Sequence, residues 1–125
     1  MTTALKPRPY RMINEIQHYA WGTQGDGAFI PQLLGITPEP GTPYAELWMG
    51  SHPKAPSSLL MDDTQMSLRE AIAKHPAFFL GERVAKQFDG KLPFLFKVLS
   101  AAESLSIQVH PTKAQAARLH AQDPE

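Results

Sequence analysis

The residues of this chain whose types and spacing are best suited to chemistry are Gln108 and His110, two positions apart in an apolar run. In an extended strand alternate side chains share one face, so both would project to one side while Ile107 and Val109 project to the other. A neutral imidazole is a common zinc ligand, and an amide oxygen is a weaker one. The spacing therefore indicates half of a metal site. A structural histidine in a strand is the alternative interpretation.

Two charged residues interrupt predicted strands. Lys97 lies within the apolar segment 93–99, where a lysine either binds an anion or transfers protons, or else extends along the strand edge to solvent. Glu46 lies in the segment 44–49 and would share a strand face with Trp48. A carboxylate in that position can act as a base, orient a neighbouring group or simply be solvated. Both residues are candidates for a polar site.

The tryptophans and the remaining histidines add less. Trp21 and Trp48 could pack against the C–H surface of a sugar, although tryptophan is more often part of a core. A glycine-rich turn at residues 21–27 lacks the strand and helix context of a nucleotide site, so we interpret it as a loop. The other four histidines fall in predicted loops or helices and receive no role: His18, His52, His75 and His120.

Short strands joined by loops, with helices in the middle and at the end, must position these residues. Twelve prolines and eight glycines favour such an arrangement over a helical bundle. Periodicity predicts strands at residues 10–19, 44–49, 93–99 (buried) and 104–110. Helices are predicted at residues 28–34, 67–75, 82–88 and 112–121. Capping boxes are expected to open the second and fourth of these helices, at Ser67 and Thr112.

Composition limits the classes of partner. Among 125 residues, 42% are hydrophobic and 19% charged, as in an ordinary globular domain. Twelve basic residues balance twelve acidic ones, so nucleic acid and membrane are not expected partners. There is no cysteine, no signal peptide and no long apolar run, which together favour a cytoplasmic protein. Residues 1–9 are expected to form a flexible arm.

Four segments in order resemble the motif series of type I mannose-6-phosphate isomerase (phosphomannose isomerase). The segments are Gln-His-Tyr-Ala-Trp-Gly at residues 17–22, Pro-Tyr-Ala-Glu-Leu-Trp-Met-Gly-Ser-His-Pro at 43–53, Leu-Pro-Phe-Leu-Phe-Lys-Val-Leu at 92–99 and Leu-Ser-Ile-Gln-Val-His-Pro at 105–111. Four motifs in the correct order are much more specific than any one of them. They cover the chain from about residue 10 onwards.

The resemblance implies a mostly β fold with helices, namely a partial cupin-type jelly-roll barrel with a helical segment near residues 67–88. It also implies a zinc enzyme that interconverts mannose 6-phosphate and fructose 6-phosphate. The residues matching zinc ligands of the family are Gln108 and His110. The residues matching its substrate pocket are Trp21, Glu46, Lys97 and Ser106.

The sequence departs from the family pattern after the last motif. The family's third zinc ligand, a glutamate, and its fourth, a histidine, have no counterpart here, nor does the arginine thought to assist proton transfer. Thr112 replaces the usual aspartate after His-Pro. We therefore expect residues 10–125 to be an incomplete, N-terminal part of the catalytic domain, with weak metal binding and doubtful activity of its own.

Two alternative functions are also compatible with these residues. One is a non-catalytic product that binds a sugar phosphate, or that associates with a partner through exposed barrel edges. The other is a different metal-dependent cupin, such as an iron oxygenase, whose two histidines and one carboxylate are poorly matched by a glutamine at position 108.

Overall fold

The computed structural model describes residues 5–122. In that part of the chain, six strands and five α-helices form, with one 3₁₀ helix at Gly25–Gly27. The strands are β1 (Met12–Ile13), β2 (Glu15–Gln17), β3 (Glu46–Met49), β4 (Ser58–Leu60), β5 (Gln65–Ser67) and β6 (Phe96–Leu99). The helices are α1 (Phe29–Leu34), α2 (Leu68–Lys74), α3 (Pro76–Leu80), α4 (Glu82–Gln87) and α5 (Lys113–Gln122).

The strands form two small antiparallel sheets. The first has the order β1-β4-β5 and the second the order β2-β3-β6. No closed barrel forms among residues 5–122, so the described fold consists of small antiparallel sheets plus helices. None of the helices in this part of the chain is long and apolar enough to cross a membrane.

The second sheet has one apolar face and one polar face. Residues directly opposite each other in antiparallel strands share a face, and Trp48 is opposite Glu15 on one side and Lys97 on the other. The polar face, as this set is called below, consists of Glu15, Gln17, Glu46, Trp48, Lys97 and Leu99. The other face packs Leu47 with Ala28, Ile30 and Tyr44 in a buried core. This division leaves the polar face available for a site.

A second core lies between the first sheet and α2. Leu59 of β4 packs there with Leu68, Ala71 and Ile72, all of which are buried. These three residues have the spacing of one helix face, so burying that face against the sheet stabilises α2. Pro76 ends α2 but also begins α3, where its fixed backbone angle suits the first turn.

Ser57 connects the two sheets. Its hydroxyl is fully buried, donates to Asn14 Oδ1 at 2.7 Å and accepts from the Gly50 amide at 3.1 Å. Asn14 lies between β1 and β2, and Gly50 directly follows β3. The backbone carbonyl of Ser57 also accepts from the Leu68 amide at the start of α2. One buried serine therefore joins both sheets and a helix.

Several sequence predictions are confirmed. The segment 10–19 forms β1 and β2, residues 44–49 contain β3, and residues 28–34 contain α1, which ends at Gly35 in the left-handed conformation (φ 68°). Helices α2, α4 and α5 lie within one residue of the predicted ranges. The second capping box also forms: the amide of Thr112 donates to Gln115 Oε1, and the amide of Gln115 donates to Thr112 Oγ1.

Other predictions are wrong. Ser67 precedes α2, but its side chain makes no capping hydrogen bond. Helix α3 and strands β4 and β5 were not predicted. The segment 93–99 contains a strand, but that strand is β6, which is largely exposed because it has a neighbour on one side only. The flexible arm at residues 1–9 stays a prediction, since its first four residues lie outside the described residues; Arg8 within it pairs with Asp62 at 2.9 Å.

The predicted strand at residues 104–110 does not form. This segment has no regular structure, and Ile107 and Val109 are 100% and 81% exposed. A strand needs a neighbour to accept and donate backbone hydrogen bonds. No strand in the described part of the chain pairs with this segment, so its alternating pattern has no sheet to join.

Candidate functional site

Three residues of the polar face form a connected cluster. The Glu46 carboxylate is buried, accepts a hydrogen bond from Trp48 Nε1 at 2.5 Å and lies 3.4 Å from Lys97 Nζ. The ammonium of Lys97 also lies 4.8 Å from the centre of the Trp48 ring. Since Glu46 and Trp48 are two positions apart on β3 and Lys97 is opposite Trp48 on β6, the strand register alone brings them together.

A second group of side chains extends this cluster towards the loop after β2. Lys54 Nζ lies 5.6 Å from the centre of the Trp48 ring and 5.4 Å from that of Tyr19. The Tyr19 ring in turn lies 5.9 Å from the ring of Trp21, which is half-buried. Trp21, Glu46 and Lys97, which the sequence singled out, thus belong to one continuous array of aromatic and charged groups.

Gly22 fixes the position of Trp21. A Cβ on Gly22 would lie 2.6 Å from the Ala45 amide nitrogen, because the turn packs directly on the backbone that leads into β3. Two isolated β-bridges connect this turn to other segments, one between Gly22 and Ala101 and one between Thr23 and Tyr44. The glycine-rich turn is therefore more than a simple connection, since its first glycine permits a close backbone approach.

The structure places the other predicted site residues apart from this cluster. Ser106, Gln108 and His110 lie on the exposed, irregular segment between β6 and α5. No hydrogen bond or ion pair of these three side chains occurs among residues 5–122. The structure therefore brings together three of the six predicted site residues, Trp21, Glu46 and Lys97. The other three are exposed.

The predicted metal ligands, Gln108 and His110, match zinc in the type of their donor atoms but not in number. Gln108 and His110 offer one amide oxygen and one imidazole nitrogen, and zinc accepts both types of donor. Protein zinc sites have three or four protein ligands, however. Within residues 5–122 there is no group of three or more histidine, aspartate or glutamate side chains that could hold a metal ion. The donor types fit zinc, but the number of donors does not make a complete site.

A sizeable cleft in the described part of the chain lies elsewhere. It has a volume of about 970 Å³ and lies between α2 and the loops at residues 51–53 and 89–95. His52 lines this cleft and also packs edge-on against Trp48, with ring centres 5.0 Å apart. None of the six predicted site residues lines it. Because the cleft contains no paired acid and base from the predictions, the polar face remains the better candidate.

Sequence reasoning missed some members of the cluster. Lys54 and His52 follow β3 in a proline-containing loop, and neither shows a periodicity that would identify it. The position itself was the available signal, since loops that follow the strands of a rigid scaffold often carry functional residues. Tyr19 belonged to a motif but received no separate role.

Comparisons with known proteins agree with the motif series. The family model described as phosphomannose isomerase type I, catalytic domain, matches residues 10–125. Mannose-6-phosphate isomerase of Salmonella typhimurium is 50% identical over 104 residues, covering 82% of this chain and 26% of the relative. The mouse (Mus musculus) enzyme of the same name is 43% identical over 125 residues, covering 95% of this chain and 29% of the relative.

Solved structures show the same similarity. A crystal structure of zinc-bound mannose 6-phosphate isomerase has a TM-score of 0.76 and 47% identity to this chain, covering 92% of it. Another, bound with zinc and yttrium, has a TM-score of 0.75 and 46% identity. Both matches cover 28% of the solved chain, so the present chain spans less than a third of the length of these relatives. The chain belongs to the type I phosphomannose isomerase family.

Proposed function

We propose that this chain is the N-terminal part of a zinc-dependent isomerase that interconverts mannose 6-phosphate and fructose 6-phosphate. The observation that carries the proposal is the cluster of Glu46, Trp48 and Lys97 on the polar face of the second sheet. A buried carboxylate, a cation and an aromatic ring are the groups that a sugar pocket needs. Family membership supports the identity of the substrate.

Within this proposal, Trp21, Glu46, Lys97 and Ser106 line the substrate pocket. Glu46 is held by two partners, so it presents a fixed carboxylate to sugar hydroxyl groups. Lys97 is 35% exposed in its side chain and can therefore reach a sugar oxygen while it remains beside Glu46. Trp21 would pack against the sugar ring, and Ser106 would donate to a substrate oxygen.

Gln108 and His110 are proposed to supply two of the zinc ligands. Transfer of a proton between C1 and C2 of the sugar builds negative charge on an oxygen, which a bound divalent cation stabilises. The other ligands would have to come from outside the described residues, because the chain provides too few donors there. The same incompleteness applies to the proton-abstracting base, to which we assign no residue.

Several further features belong to the proposal. Residues 10–125 would form part of a cupin-type jelly-roll domain in a cytoplasmic enzyme. The free edge of β6, which pairs only with β3 among residues 5–122, would be covered by strands of the remaining domain or by another chain. The segment 104–110 would become a strand when such a neighbour is present.

A second candidate function is binding of a sugar phosphate without catalysis. The observation that favours it is the lack of a three-residue metal-binding group in the described part of the chain. This alternative keeps the aromatic and charged cluster as a binding surface, but it assigns no metal role to Gln108 and His110. An activity assay distinguishes the two functions.

The test is a chimera with a complete relative. The Escherichia coli mannose-6-phosphate isomerase is 48% identical to this chain over 104 residues. In the chimera, this chain takes the place of the aligned segment of the Escherichia coli enzyme. A coupled assay then measures isomerisation of mannose 6-phosphate with added zinc and with a chelator. We expect zinc-dependent turnover, which Gln108→Ala and His110→Ala should each reduce by at least about tenfold.

His120→Ala is the matched control, since His120 is an exposed histidine on α5, away from the proposed ligands. It should change turnover by less than about twofold. A folded chimera without turnover, or full turnover in both alanine variants, would overturn the proposal. We expect the 125-residue chain alone to be inactive. Turnover by this chain at an enzyme-like rate would contradict the proposal that its site is incomplete.

A further inference from the structure

Lys54 holds its ammonium group at the rim of the polar face. The Nζ atom lies over two aromatic rings, those of Tyr19 and Trp48, and 3.4 Å from the Tyr19 hydroxyl oxygen. The backbone amide of Lys54 donates to His52 Nδ1 at 3.1 Å, and the Ala55 amide donates to the His52 carbonyl. Hydrogen bonds within the loop thus stabilise the backbone that carries Lys54.

The two lysines beside Trp48 differ in their charge partners. Lys97 forms an ion pair with Glu46, which neutralises its charge. Lys54 forms no ion pair with any carboxylate among residues 5–122, and Glu15, the other acidic residue of the polar face, does not pair with it. The ammonium of Lys54 therefore has no carboxylate within ion-pair distance in the described part of the chain. Lys54 is also exposed, so a ligand can reach it.

The Tyr19 hydroxyl gives this position a second donor. When Lys54 Nζ donates to the Tyr19 oxygen, the phenolic hydrogen remains available to donate elsewhere. An ammonium and a hydroxyl oxygen 3.4 Å apart are close enough to bind two oxygens of one phosphate group. A neutral sugar would leave the Lys54 ammonium without a charged partner, whereas a phosphate dianion would supply one.

We propose that Lys54, with the Tyr19 hydroxyl, binds the phosphate group of the sugar phosphate. This assignment rests on the proposed function and deepens it, since it divides the cluster between two parts of one substrate. Lys54 and Tyr19 bind the phosphate end, while Glu46 and Lys97 remain for the sugar oxygens. The ring of Trp48 has the ammonium groups of both lysines beside it, at 5.6 Å for Lys54 and 4.8 Å for Lys97 from its centre.

The test uses the full 125-residue chain and follows the indole N–H resonance of Trp48 by NMR. Mannose 6-phosphate, inorganic phosphate and mannose are titrated separately. We expect Lys54→Gln to weaken mannose 6-phosphate binding about tenfold and Tyr19→Phe about threefold, because each removes one donor to a charged group. Lys54→Arg keeps the charge and should stay within about threefold of the original affinity.

Lys74→Gln is the matched control, since it removes an exposed lysine at the end of α2. Unchanged binding in this variant shows that the effect of Lys54 is local. Inorganic phosphate that shares the Lys54 dependence assigns the interaction to the phosphate group, and mannose should be insensitive to Lys54. The proposal is overturned if Lys54→Gln binds as tightly as the original chain, if Lys74→Gln weakens binding equally, or if the folded chain does not respond to mannose 6-phosphate.

This result and the chimera assay can fail independently. Binding of phosphate by Lys54 needs neither Gln108 nor His110, whereas zinc-dependent turnover needs both. Lys54-dependent binding in a chain whose chimera is inactive would contradict only the proposed isomerase function. An active chimera that is indifferent to Lys54→Gln would contradict only the phosphate assignment.

Discussion

Lys97 Nζ lies 3.4 Å from Glu46 Oε2, across the pairing of β6 with β3. Strands 46–49 and 96–99 are separated by more than a third of the chain, yet their register places the two charges on one sheet face. The indole of Trp48 donates to the same carboxylate oxygen. A buried carboxylate with two fixed partners is therefore the centre of the candidate site.

The hydrogen bond from Trp48 predicts how substitutions of Glu46 will behave. In Glu46→Gln the amide oxygen still accepts from the indole, so the free energy of unfolding should fall by about 1 kcal/mol or less. In Glu46→Leu the buried indole N–H loses its acceptor, and the loss should be about 1–3 kcal/mol. Urea denaturation of the two variants measures the difference. Equal losses would contradict the importance of this hydrogen bond.

The close packing at Gly22 predicts a difference in stability between two glycine-to-alanine substitutions. Gly22→Ala would place a methyl group against the backbone of Ala45 and should destabilise the chain by about 1–3 kcal/mol. Gly27 has open space around its Cα, so Gly27→Ala is the matched control and should change stability by less than about 1 kcal/mol. Thermal unfolding of both variants tests this. A Gly22→Ala chain as stable as Gly27→Ala would rule out the close approach.

The buried hydrogen bonds of Ser57 predict a difference in stability between two serine-to-alanine substitutions. Ser57→Ala removes the group that joins the two sheets and leaves the Gly50 amide and the Asn14 side chain without a partner, at a cost of about 1–3 kcal/mol. Ser67→Ala is the control, because the side chain of Ser67 makes no capping hydrogen bond. Its cost should be below about 0.5 kcal/mol. A larger loss in Ser67→Ala than in Ser57→Ala would contradict this description.

Local patterns in the sequence were sufficient for much of the fold. The alternation around Glu46 predicted β3 and its shared face with Trp48, and Gly35 correctly marked the end of α1. The Thr112 capping box predicted α5. Each of these features depends on residues close together in the chain, where periodicity and capping chemistry decide the outcome.

Features that depend on distant partners were harder to predict. β4 and β5 are three residues each, too short to show clear alternation, and they are stabilised by pairing with each other and with β1. The array from Trp21 to Lys54 arises from packing between two loops, which no spacing in the sequence reveals. The segment 104–110 shows the opposite case, since its alternation is clear but no neighbouring strand pairs with it in the described residues.

This exposed segment leads to a fourth prediction. In the isolated chain, backbone amides of residues 105–110 should exchange with solvent at rates near those of an unfolded peptide, whereas amides of β3 should be protected. In the chimera with the Escherichia coli enzyme, the same amides should become protected, because a neighbouring strand is then available. Hydrogen exchange followed by mass spectrometry measures both. Protection of this segment in the isolated chain would contradict its irregular structure.

Substitution of the exposed Ile107 tests the same difference between the isolated chain and the chimera. Ile107→Ser should leave the stability of the isolated chain within about 0.5 kcal/mol, because a fully exposed side chain loses no burial there. In the chimera the same change should be destabilising if the segment has joined a sheet. An equal effect in both proteins would count against the proposed strand.

The most direct test of the central claim, that Gln108 and His110 are half of a zinc site, is zinc affinity measured by competition with a chromophoric chelator. The isolated chain should bind zinc weakly, and the chimera should bind one ion at least about a hundredfold more tightly, with Gln108→Ala and His110→Ala each reducing that affinity. Tight binding by the isolated chain, or chimera affinity that neither substitution changes, would contradict the claim.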